Sequence, residues 1–311
     1  MEQAIAPVKI KKKKSILEHF KKYWQLWLMV VPAVAIIIVF NYIPMYGVQL
    51  AFREFDFTKG LTGGEFVGLK YFRQFFDSPM FKPVLVNTLR ISIATLIIGF
   101  IAPIVLALLI NQVRNPKRKQ VLQTTVYMPH FISTVVMVAM LQVFLSPETG
   151  VLTNIFNLEK STNLLGSVKT FVPVYVISEV WQHCGWNSII YLAALSSVDP
   201  QLYESADIDG ANRFQKILHV DIPALVPTMM VLLIMNMGGV LSAGFEKTFL
   251  MQNSLNLPVS EVIATYVYKI GILSSQFSYS TAIGLFNNIV NFAFLVLANT
   301  LSKKFSNRSL W

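Results

Sequence analysis

Charge is scarce in this chain. Of its 311 residues only 14% are charged and 54% are hydrophobic, whereas a soluble domain carries about 25% charged residues. The deficit is concentrated in several stretches with almost no charge, the pattern of membrane spans rather than of a soluble two-domain protein. Cysteine is nearly absent: Cys184 stands alone, which excludes an internal disulfide framework. Histidine is limited to His19, His130, His183 and His219, without metal-ligand spacing, so no metal site is expected. No Gly-Lys dipeptide occurs, which removes the phosphate loop G-x4-G-K-[ST] of a self-sufficient ATPase. The patterns G-x-S-x-G and H-E-x-x-H are missing as well. The chain is therefore expected to bind no cofactor and to catalyse no hydrolysis itself.

What is present is apolar length. Six spans are expected, at Trp24–Gly47, Val84–Ile110, Val121–Leu145, Phe171–Leu195, Ala224–Val240 and Thr281–Leu301. Each approaches or exceeds the roughly 20 residues that cross about 30 Å of hydrocarbon; the fifth is shortest and could extend to Phe245. This gives an all-α, polytopic integral membrane protein. A basic tail covers 1–23, the transmembrane region 24–304, and a short second tail 305–311. The uncharged run from Leu26 to Phe40 continues past any plausible cleavage point and reads as a retained span.

The net charge is +10. The basic residues gather at the ends of apolar runs, so anionic lipid headgroups suit them better than nucleic acid. With the N-terminus inside, the inner segments hold 16 Lys and Arg and the outer ones nine. Both termini are then cytoplasmic, which an even number of spans also requires. The outer segments Phe52–Pro83 and Ser146–Thr170, with their glycines and Pro147, read as ordered loops or short helices.

Polar side chains inside spans are costly and mark function or packing. The fourth span contains "SEVWQHCGWNSIIY", in which Glu179, His183 and Trp186 recur at i, i+4, i+7, with Trp181, Gln182 and Asn187 beside them. Asn236 in the fifth span lies at similar depth, and Asn287 and Asn291 share a face of the sixth. An amide, carboxylate and indole lining would suit a sugar, whose hydroxyls bond polar groups while its apolar face stacks on rings. Interhelical hydrogen bonding is the competing reading, above all for the asparagines of the sixth span. Glu179 with His183 could equally be a mutually satisfied buried pair. Arg90, near the outer end of the second span, is expected to snorkel or to pair outside, with contact to an acidic sugar as the alternative.

The stretch "LYESADIDGANRFQKILHVDIP", Leu202–Pro223, interrupts this apolar pattern with four carboxylates, two basic residues and a histidine. Asp199-Pro200 signals a helix start, with an acceptor at the N-cap and proline at the first helical position. A short helix is expected over Pro200–Ile208, a left-handed turn at Gly210, and a second helix over Ala211–Val220, with Pro223 and Pro227 punctuating entry into the fifth span. Leu202, Tyr203 and Ala206 form a small apolar knob. Packing on the protein's own span ends and docking into a partner's socket both remain open for it.

Glu204-Ser205-Ala206, three residues, Gly210, nine residues, then Val220-Asp221-Ile222-Pro223 resembles the EAA motif, E-A-A-x3-G-x9-I-x-L-P, of permease subunits of bacterial binding-protein-dependent ABC importers. Ser205 stands for an alanine, Val220 for isoleucine and Ile222 for leucine, and the spacing is intact. "YLAALSSVDPQLYESADIDGA" looks like the carbohydrate-uptake branch, and "TAIGLFNNIVNFAFLVLANTLSKK" resembles the last span of permeases for complex oligosaccharides. The resemblance extends from about Trp24 to the end. It implies the type I importer permease fold, in the bacterial cell membrane, with loop 199–223 as a cytoplasmic coupling helix region. Glu204, Ser205, Ala206, Asp207, Asp209 and Gly210 would then meet a separate ATPase. It further implies a second, related permease subunit, two ATPase subunits that use ATP and Mg, an extracellular solute-binding protein and an oligosaccharide substrate. A permease for another solute, an ion-driven transporter and a membrane-embedded enzyme are the alternatives; the last has only Glu179 and His183 to work with.

Overall fold

A computed structural model describes residues 22–60, 63–148, 150–151, 155, 163–242 and 244–306, of which 305 and 306 are described by backbone alone. Most of the basic tail, Lys9 to Lys21, and the end of the second tail lie outside the described residues. Helix dominates what is described. In hydrocarbon no water satisfies a peptide group, so each segment must bond its own backbone.

Helix α1 runs Trp24–Phe52, five residues beyond the expected end, and none of its most apolar stretch is buried in the molecule. Its winding changes on the way, widening to a π turn at Ile38–Tyr42 and then tightening to 3-10 at Tyr46–Phe52. A short α2, Lys70–Phe76, precedes α3, Phe81–Asn111. Then follow α4, Pro116–Tyr127, and α5, Thr134–Phe144. Next come α6, Phe171–Ser196, the loop helix α7, Pro200–Ile208, and α8, Arg213–Met237. Three short helices follow: α9, Phe245–Met251; α10, Leu257–Ser260; and α11, Ile263–Leu273. The last, α12, spans Phe277–Ser306.

Four of these, α1, α3, α8 and α12, are long and apolar enough to cross a membrane. Helix α6 is a continuous 26 residues but is diluted by Glu179, Gln182, His183 and Asn187. At about 1.5 Å per residue it is still long enough to span. Of its polar centre, Gln182 is buried, Glu179 and His183 are half-buried, and Asn187 is exposed.

The third expected span, Val121–Leu145, is not one helix. After α4 a 3-10 turn at Met128–Phe131 leads to a bend of 95° before α5. Pro129 has no N–H to offer a helical ladder, and Ser133, with extended backbone, starts a new helix by accepting from Val136 N at 3.3 Å. The carbonyl freed at Ile132 accepts Gln182 Nε2 from α6 at 2.8 Å.

The fifth span also departs from expectation. No separate helix precedes it. Asn212 caps α8 in a reciprocal box with Gln215, and a π turn at Ile217–Asp221 carries the helix past Pro223 and Pro227 without a stop. The helix ends at Met237, so it does not extend to Phe245.

Helices α3 and α6 pack along their length and form the spine. One half of the spine (Ile91, Phe171, Tyr175, Val176) closes on Val138, Met251 and Val262. The other half (Ile104, Ala107, Tyr191, Leu192, Leu195) closes on Leu225 of α8. A third cluster joins Phe75, Val84, Ile263, Tyr279 and Ile283. Side-chain amides tie the breaks between short helices: Asn87 Nδ2 donates to the carbonyls of Pro258 at 2.9 Å and Glu261 at 3.0 Å.

At Gly185 the spine meets α4 so closely that a Cβ would stand 1.8 Å from Val126 O. Gly185→Ala should therefore cost about 1–3 kcal/mol by overpacking. A clear fall in melting temperature of the purified protein checks it. Gly284→Ala, where a Cβ meets nothing within 4 Å, should lower it not at all.

Candidate functional site: a polar cavity and an exposed elbow

Between the two halves of the α3–α6 spine lies a cavity of about 430 Å³. Glu179, His183 and Asn187 reach it from α6, at i, i+4, i+8. Ser92 and Thr95 reach it from α3, and Asn236 from the end of α8. The turn after α8 closes it with Gly239, Ser242 and Gly244. The hydroxyls of Ser92 and Thr95 are buried without a protein partner.

Glu179 is the one carboxylate among the described residues of the lining. Lys247 of α9 stands behind it, with Nζ 2.8 Å from Glu179 Oε2. His183 Nε2 lies 3.4 Å from Oε1. Lys247 is 4% exposed and also sits over the Tyr175 ring, 4.9 Å from its centroid. The network continues: His183 Nδ1 and His130 Nδ1 are 3.0 Å apart, so one ring donates to the other. His130 in turn stacks on Trp186 at 4.5 Å with planes 5° apart. A row of groups thus joins α9, α6 and the break between α4 and α5.

The structure separates the polar residues anticipated from the sequence. It brings Glu179, His183, Asn187 and Asn236 together around the cavity. Trp181 and Trp186 are exposed and do not line it, although the i, i+4, i+7 spacing put Trp186 on the face of Glu179. Gln182 is buried and bonds the Ile132 carbonyl. Asn291 Oδ1 accepts Leu241 N at 2.7 Å, and its Nδ2 donates to Ser242 Oγ at 3.2 Å, so it pins the turn after α8. Asn287 has a buried Oδ1 without a protein partner and lies outside the cavity lining. Lys247 was missed. It reads as one of two basic residues in an outer loop, and no local pattern marks it as the partner of a residue 68 positions earlier.

Three residues, 197–199, separate the end of α6 from the start of α7. Asp199 Oδ1 accepts Gln201 N at 2.9 Å, and Pro200 occupies the first position. At its other end Gly210 has φ +74°, Gly210 N bonds Asp207 O and Ala211 N bonds Ala206 O. This is the Schellman closure, in which a residue without Cβ reverses the chain. The knob is divided. Tyr203 turns inward and donates to Asp221, a fully buried carboxylate that also accepts Gln112 Nε2 at 3.2 Å. Burial and this carboxylate push the Tyr203 hydroxyl up to about 12. The bond's contribution is therefore complete below pH 10 and is lost only as pH climbs towards 12. Leu202 stays exposed at 52%, joined by Ile208 at 87% and Phe214 at 72%. Glu204 and Asp209 are also exposed, while Asp207 pairs with Lys216.

A bundle of membrane-crossing helices with a Glu-led, glycine-closed elbow between two of its spans defines a transport permease. A family model for the inner membrane component of binding-protein-dependent transport systems matches residues 103–307, and the chain belongs to this family. The polygalacturonan/rhamnogalacturonan transport system permease protein YteP of Bacillus subtilis (strain 168) is 40% identical over 306 residues, covering 97% of this chain and 95% of YteP. Protein LplB of the same organism is 40% identical over 288 residues, 92% of this chain and 91% of LplB. Among solved structures, a bacterial ABC transporter involved in the import of the acidic polysaccharide alginate contains a chain with TM-score 0.85 and 36% identity, covering 94% of this chain and 99% of that one. The fold is thus that of a type I ABC importer permease.

Gly210→Val should strain the turn by about 1–2 kcal/mol, since the φ, not lack of space, demands glycine: a Cβ there meets nothing within 4 Å. Gly210→Asn should be tolerated. The expected readout is normal membrane insertion for both, with transport lost for the valine variant alone.

Proposed function

We propose that this chain is the pathway-forming permease subunit of an ATP-driven importer that moves an oligosaccharide into the cell. It works beside a second, related permease subunit. Two cytoplasmic ATPase subunits hydrolyse ATP with Mg, and an extracellular solute-binding protein delivers the sugar. Both termini and the elbow 199–212 face the cytoplasm, and membrane lipids cover the apolar flanks. The names of the relatives, for polygalacturonan, rhamnogalacturonan and alginate, support a carbohydrate substrate. A solved structure of a bacterial alginate ABC transporter in complex with an alginate pentasaccharide-bound periplasmic protein supports delivery from outside.

One observation carries the mechanism. The two helices that leave the elbow both reach the cavity, where they meet α3: α6 brings Glu179, His183 and Asn187, and α8 brings Asn236. ATPase closure pulls the exposed Leu202, Ile208 and Phe214 surface. Helices transmit that displacement because their backbone bonds are internal and stiff. Glu204 and Asp209 pair with basic residues of the ATPase cleft and fix the register, and the apolar side chains supply burial. At the cavity the same movement changes which side is open. Glu179, His183, Asn187 and Asn236, with Ser92 and Thr95, bond the sugar hydroxyls during passage. The bend after Phe131 gives α4 and α5 room to move apart from α6 across the His130–His183 contact.

Leu202→Asp combined with Ile208→Asp tests this. In proteoliposomes holding the full transporter, ATP-driven uptake of oligosaccharide should fall at least about tenfold while the chain stays in the membrane. Unchanged uptake would overturn the coupling role of this surface.

A further inference from the structure

The established class says nothing about how the cavity treats charge. Its geometry does. Glu179 presents its carboxylate at the cavity wall, with 28% of the side chain exposed, whereas Lys247 approaches from behind with 4% exposed. The two are unequally buried, so this is not a pair sealed within the packing. The cation is built into the wall, and the anion lies between it and the occupant. His183 Nε2 at 3.4 Å approaches the second oxygen. Tyr175 holds the ammonium through its ring and, at 3.4 Å, its carbonyl.

An unmasked carboxylate here would face any acidic sugar at a few ångströms. Like charges at that range in a poorly solvated site repel strongly. The cavity would then accept neutral sugars and reject uronates.

We propose that Lys247 is a specificity-determining residue: by masking Glu179 it makes the cavity permissive to carboxylate-bearing oligosaccharides. This rests on the carbohydrate reading above and names a substrate class within it, acidic oligosaccharides such as oligouronates. The charge of the site is set by the difference between two residues. Removing the cation alone turns the wall negative. Removing the anion alone turns it positive. Removing both returns it to neutral.

The test uses the purified, intact transporter without its binding protein, so that delivery does not filter the ligands. Binding of trigalacturonate is compared with that of its fully methyl-esterified form, which has the same skeleton without the charges. Lys247→Met should weaken trigalacturonate at least about tenfold relative to the ester. Glu179→Gln should shift the ratio of the two the other way. The double variant Lys247→Met/Glu179→Gln should return the ratio to within about threefold of the native value, and it guards against misfolding caused by a lone buried charge. A ratio that no variant moves, with both sugars bound, would overturn the proposal alone. A double variant that keeps the ratio of Lys247→Met would also overturn it. Native transporter that binds neither sugar would instead overturn the carbohydrate reading on which it rests.

Discussion

The hydrocarbon interior offers no hydrogen bonds, so each polar atom placed there must be answered by another part of the same bundle. That constraint organises this molecule. Where a helix breaks, a side chain from a neighbour meets the exposed backbone: Gln182 at Ile132, Asn291 at Leu241, Asn87 at Pro258 and Glu261. Where a charge enters, an opposite one follows, as Lys247 does for Glu179. The places that keep unanswered groups then stand out. Ser92 and Thr95 keep theirs beside the cavity.

Helix α6 gathers these demands. It carries Glu179, Gln182, His183 and Asn187 along its middle, and it reaches the break between α4 and α5, the cavity, the closely packed α4 surface at Gly185 and the elbow at α7. A spine of this kind has to be stiff and well covered. Its two apolar ends, around Phe171 and Tyr175 and around Tyr191 and Leu195, anchor it to α3, and the polar centre lies between them. The elbow inherits its position from both ends: α6 on one side, α8 on the other, with Tyr203 moored to Asp221 beneath.

Local chemistry was legible in the sequence. Asp199-Pro200, Gly210 and the apolar runs each act within a few residues, so their outcome follows from residue type. Long-range pairing was not. Lys247 reads as a loop lysine because its partner lies in another span. The i, i+7 spacing from Glu179 to Trp186 holds on a wheel, but His130 draws the indole onto its own ring and away from the cavity. The split of the third span had a local trace, Pro129 followed by Ser133, which an apolar count ignores. Conversely, Pro223 and Pro227 look like stops, yet a π turn absorbs the first and the helix continues. Exposure of Ile208 and Phe214 could not be inferred either, because a carboxylate-rich loop conceals which apolar residues lack a neighbour.

The central claim is that motion made in another polypeptide enters here through the elbow and travels along α6 and α8 to the cavity. A photoreactive residue placed at Ile208, whose side chain is 87% exposed, tests it most directly in the intact transporter. The account predicts a covalent adduct with a nucleotide-hydrolysing subunit, whose formation arrests transport. An adduct with the extracellular binding protein, or none with any subunit, would contradict it.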